Sequence, residues 1–148
     1  MNILPLQFPR APIVRKDASL PFNKLHVPKH LPVETSHAIN DLLHDSLVET
    51  CGVNPDDYFC LVSRYSAEDM ILHPTFLGNR DPASTVVIEI ALLAGRSDEQ
   101  KEALFKDVRR RLRAIDFPPE NSIIFLIENR PIDWSFSDAG SVKSVLGL

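Results

Sequence analysis

The segment Val53–Val62 lines up with Phe117–Ile127, with one extra residue in the second copy. Each copy reads as a helix end, a turn, an acid and a strand, and a strand and a helix stand before each. In the first half, Phe22–Val27 reads as a short strand and Glu34–Thr50 as a helix with Ile39, Leu42, Leu43 and Leu47 on one face. Thr35 or Ser36 is placed to cap that helix and Gly52 to end it; Tyr58–Arg64 is the strand that follows. In the second half, Ser84–Leu93 is rich in β-branched residues and apolar on both faces apart from Glu89, as in a central strand. Ser97 and Gln100 form a capping box, after which Leu104, Val108, Leu112 and Ile115 recur at helical spacing until Pro118 and Pro119. Ser122–Glu128 is the last strand. The pattern is β-α-β twice over, an α/β (α+β) chain whose right-handed crossovers put both helices on one face of a four-stranded sheet. The other face is left bare. With residues such as Val86, Ile88 and Ile90 taken to line it, burial against further subunits is the expected completion.

At 148 residues the chain is sized for one core. Pro5, Pro9, Pro12, Pro21, Pro28 and Pro32 are half of its twelve prolines. Residues 1–20 therefore read as a proline-rich, extended appendage, and residues 21–148 as a single domain. The net charge of −4 argues against binding to a phosphate backbone, and the run Arg109–Arg111 with Arg113 falls in a helical pattern as a solvated face. Cys51 and Cys60 make neither a disulfide framework nor a metal spacing, which fits a reduced, cytoplasmic protein. No stretch approaches a membrane span. Neither a phosphate-cradling glycine loop nor a metal-ligand cluster is present, so no cofactor is expected.

Isolated polar residues at strand ends remain as candidates. Arg96 follows the long strand directly, where a guanidinium can meet a substrate carboxylate in bidentate fashion or pair with Asp98 or Glu99. Asp57 holds the matching place in the first half, as an acid-base or water-orienting group or as a turn acid after Pro55. Trp134 and Phe136 suit the apolar wall of a pocket or packing over the core. His30, His37 and His44 read as exposed residues in or near the first helix.

Gly95–Lys101, Ile127–Asn129 and Asp133–Phe136, together with Gly52, Val53, Asp57 and Tyr58, resemble the malonate semialdehyde decarboxylase-like members of the tautomerase superfamily over about Pro21 to Gly140. The resemblance implies the 4-oxalocrotonate tautomerase fold, a homotrimer, a small keto/enol substrate and proton-transfer chemistry without a cofactor. It assigns Asp57 and Arg96 to catalysis, Arg96, Trp134 and Phe136 to substrate binding, and Pro21 to the place of the family's amino-terminal proline. Here Pro21 is internal, and its nitrogen is a tertiary amide with neither a basic lone pair nor a proton. Asn2 is too large for removal of Met1 to be expected, and only cleavage between Leu20 and Pro21 restores an amine. The family's two arginines flank a proline, whereas this chain has Ala94-Gly95-Arg96 and keeps the second alone. Three readings follow: an isomerase or lyase that does without the free amine, an orthodox tautomerase or decarboxylase matured by cleavage before Pro21, and a non-catalytic protein whose arm covers the old site.

Overall fold

The structure, a computed structural model, describes residues 19–148. The expectation of an extended appendage falls, apart from Ser19 and Leu20, outside these residues. In chain order the main elements are β1 (Phe22–Pro28), α1 (Val33–Cys51), β2 (Cys60–Tyr65), β3 (Val86–Leu93), α2 (Asp98–Ala114), β4 (Ser122–Asn129) and a short α3 (Val142–Leu146).

The sheet has the order β2-β1-β3-β4. β1 and β2 run parallel, β3 and β4 run parallel, and β1 pairs antiparallel with β3, Leu25 opposite Ile88. This is the doubled β-α-β. Its two halves are closed alike: Gly52 ends α1 in the left-handed region at φ 66°, and Asp116 takes φ 60° just past α2. At Gly52 that conformation is easy, since a Cβ is what disfavours it.

Leu25 and Val27 of β1, Ile39, Leu43 and Leu47 of α1, Val86, Ile88 and Ile90 of β3 and Leu104, Val108 and Leu112 of α2 form one core. The sequence expectation for Val86, Ile88 and Ile90 is thereby corrected, because they face the helices. Glu89 marks the other side of β3, with Val87 and Ala91, and a charge takes the face with access to water. The uncovered face carries the exposed Leu61, Phe125 and Ile127 around a polar centre, where His26 contacts the Tyr65 hydroxyl through Nδ1 (2.7 Å) and Glu89 through Nε2 (3.0 Å).

Ser97 and Gln100 form the expected capping box on α2. The cap of α1 differs from expectation. Pro32 stands at the cap with no side-chain bond, and Ser36 donates its hydroxyl to the Val33 carbonyl at 2.7 Å. The first turn is instead held through the Pro32 carbonyl, which accepts the N–H groups of Thr35 (3.1 Å) and Ser36 (3.2 Å). His44 is buried instead of exposed, its Nε2 2.9 Å from the Pro55 carbonyl oxygen. Among the described residues no helix is long and apolar enough to cross a membrane.

Candidate active site

The topology brings distant segments to one end of the sheet. β1 and β2 begin there, and because β3 and β4 run the other way, they finish there. Ser19–Phe22, Asp57–Phe59, Leu93–Arg96, Asn129 and Trp134–Phe136 thus stand at a single edge, although they span most of the sequence.

Asp57 closes the turn between α1 and β2. Its N–H donates to the Asn54 carbonyl at 3.0 Å, and its side chain is only 3% exposed. One carboxylate oxygen, Oδ2, accepts both the N–H and the hydroxyl of Ser19, each at 2.7 Å. The Asn54 N–H in turn donates to the Ser19 hydroxyl at 3.1 Å. Short, charge-assisted bonds of this kind are roughly twice as strong as neutral ones. The residue two places before Pro21 therefore occupies Asp57.

Leu20 continues the cover. It is 8% exposed and packs with Val142 and Leu146 of α3, against which Leu93 and Trp134 also lie. Its φ of 51° is in the region that a branched side chain resists, at the junction where the chain turns into β1. Pro21 is buried and acylated by Leu20.

Arg96 follows β3 through Gly95, whose φ of 127° few other residues adopt. Its Nε donates to the Cys51 carbonyl (3.2 Å) and its Nη1 to that of Leu93 (3.1 Å). These acceptors are neutral. Among the described residues neither Asp98 nor Glu99 pairs with it, and these two bonds use two of its five N–H donors.

The aromatic wall is larger than Trp134 and Phe136. Trp134 stacks on Phe136 at 5.8 Å between centroids, Phe136 meets Phe59 at 5.3 Å, Phe59 stacks on Phe22 at 5.8 Å, and Phe22 returns to Trp134 at 6.3 Å. The indole N–H donates to Asn129 Oδ1, which fixes the ring. Phe22 and Phe59 were legible as pocket residues only from period two: each precedes a core-facing residue, Asn23 or Cys60, and so projects to the opposite face. Beside this wall, a groove of about 580 Å³ runs along the β2 edge, lined by His37, Asn40, Asp41, Tyr58, Phe59 and Cys60. Burial, then the hydrogen bond to Asp41, pushes the Tyr58 phenol up to about 12, so it serves as a neutral donor.

The family model described as "Tautomerase enzyme" matches residues 57–137, more than half of the chain. The probable tautomerase YusQ of Bacillus subtilis (strain 168) is 26% identical over 120 residues, 80% of this chain and 94% of that one. Among solved structures, the FG41 malonate semialdehyde decarboxylase inhibited by 3-bromopropiolate is 31% identical, with a TM-score of 0.75, over 85% of this chain and 95% of that one. The native fused 4-OT shares the fold at 20% identity and a TM-score of 0.66, over 84% of this chain and 98% of that one. The chain belongs to the tautomerase family.

Proposed function

We propose that the chain is a latched catalyst of cofactor-independent proton transfer on small keto/enol carboxylates. In this reading Arg96 holds the carboxylate and Asp57 takes and returns the proton. Trp134, Phe136, Phe22 and Phe59 supply an apolar wall at the same edge, against which the substrate's ion pair would be strengthened as it displaces water. The observation that carries it is the pair of bonds from Ser19 to Asp57 Oδ2. A group that the chain itself must cover is one whose exposure matters.

Magnitudes make the cover a latch and not a permanent block. Burying Leu20 is worth about 2 kcal/mol, the two bonds to a charged acceptor about 1.5 kcal/mol each and the Asn54 bond to the Ser19 hydroxyl about 1 kcal/mol. Ordering the backbone and side chains of residues 19 and 20 costs about 4 kcal/mol. A net of about 2 kcal/mol leaves the open state at a few per cent. The buried Leu20–Pro21 junction favours displacement over cleavage as the opening step, with Pro21 remaining an amide. A homotrimer completes the site region, supported by the bare sheet face and by the trimeric fused 4-OT structures.

Enol–keto conversion of phenylenolpyruvate separates the readings. Full-length protein is expected to be slow, and the variant carrying Ser19→Ala with Leu20→Ala at least about 10-fold faster, matching a few per cent open. Acceleration only in a chain begun at Pro21 would instead show that the amine is required. No activity in any of the three would establish the second reading, a non-catalytic protein with a permanently covered site, which the same Ser19 contacts also favour.

A further inference from the structure

The doubled fold gives the sheet a second equivalent end, where β3 and β4 begin. Asn121, directly before β4, accepts the backbone N–H of Asp81 on Oδ1 at 2.9 Å, much as Asp57 accepts that of Ser19 before β1. An amide stands here in place of the acid, so this end lacks the buried negative charge of the first.

A cleft of about 390 Å³ opens beside it, with Arg80 and Arg109 among its lining residues. Arg80 donates from Nη1 to the His73 carbonyl (2.6 Å) and from Nη2 to that of Phe76 (2.7 Å), and its Nε is buried without a partner. Arg109 donates from Nη2 to the Ser122 carbonyl at 3.1 Å and from Nη1 to that of Phe105 at 3.4 Å. Every acceptor is neutral. The neighbouring Arg110 and Arg111 both pair with Asp107, while among the described residues no carboxylate pairs with Arg80 or Arg109. The Asp81 carboxylate turns away to the Ala83 N–H and the Ser84 hydroxyl. Burial, and then the charge of Arg80, holds the Arg109 guanidinium below its ordinary value.

Two half-buried cations sharing a cleft repel each other, and a single anion between them removes that cost. Planar guanidinium donors match the paired oxygens of a carboxylate. Besides His73 and Ser122, the rest of the lining is apolar, with Phe76 63% and Leu77 89% exposed beside Ile123 and Ile124. Such walls suit a hydrocarbon body and offer little to a fully hydrated phosphate. We propose that this cleft is a second binding site, for a small carboxylate with an apolar body, held by Arg80 and Arg109 at the opposite end of the sheet from Asp57.

The test is titration of the ¹⁵N-labelled full chain with phenylacetate, followed by amide NMR. Saturable shifts are expected at Phe76, Leu77, Ser122 and Ile123. Arg109→Gln is expected to weaken binding at least about tenfold, the size of a lost charge-assisted bond. Asp57→Asn, at the other end, should leave the shifts at these four residues unchanged. The neutral isostere 2-phenylethanol needs no variant and should fail to bind at the same concentrations. Equal binding of 2-phenylethanol, an unaltered affinity in Arg109→Gln, or displacement of phenylacetate by equimolar inorganic phosphate would each overturn the proposal.

Discussion

Single residues carry most of the candidate site. Ser19 was invisible to sequence reasoning, because a serine in a proline-rich stretch has no pattern and its partner lies 38 positions on. Asp57 and Arg96 were legible as strand-end polar residues, and the fold does gather them at one edge. Their engagement with Ser19 and with main-chain carbonyls was not legible, since it depends on which way the chain enters β1. Cys60 offers a check on the groove beside them. Burial pushes its thiol from 9.0 up to about 11. At pH 8 the thiolate fraction falls by about 100-fold relative to an ordinary thiol, so alkylation by iodoacetamide should be slower in that proportion. Alkylation at the rate of a free cysteine would show that the groove is wetter than described.

At the scale of elements, the repeat and the helical spacing fixed both halves, including the capping box of α2. Period two failed on β3 because Val86–Leu93 is apolar on both faces, so alternation alone could not tell core from open side. Glu89 held the answer. The helix pair is joined by charge as well as packing: Asp107 on α2 bonds Arg110 and Arg111, and Arg111 reaches Glu49 on α1. Burial works against the Asp107 carboxylate, yet hydrogen bonds led by that of Arg111 hold it at about 2, below the ordinary 3.8. A carboxyl lowered by folding contributes stability above its unfolded value and loses it as the pH falls towards 2. The contribution is roughly 2 kcal/mol. Urea midpoints measured from pH 5 to pH 2 should show wild type ahead of Asp107→Asn at the upper end, with the gap closing at the lower; a constant gap would contradict the assignment. By contrast, Arg109 was read as part of a solvated basic face, and the structure puts it half-buried in the second cleft.

At the scale of the whole molecule, the described residues leave one sheet face uncovered, with Leu61 57%, Phe125 43% and Ile127 44% exposed. Among the described residues the helices pack on the other side alone, which suits this face to association, and three copies are the assembly proposed above. Sedimentation of the full chain should give a trimer, and Phe125→Glu with Ile127→Glu should return it to monomer while the far-UV spectrum stays folded. A wild-type monomer would remove the proposed assembly and leave the latch untouched. The latch is tested most directly by hydrogen exchange of the Ser19 amide in the full-length protein. Bonded to the buried Asp57 carboxylate and open a few per cent of the time, it should exchange at least about 10-fold more slowly than an unstructured amide, and the Asp57→Ala variant should abolish the protection. Exchange at the unprotected rate in wild type would mean that residues 19 and 20 do not close the site.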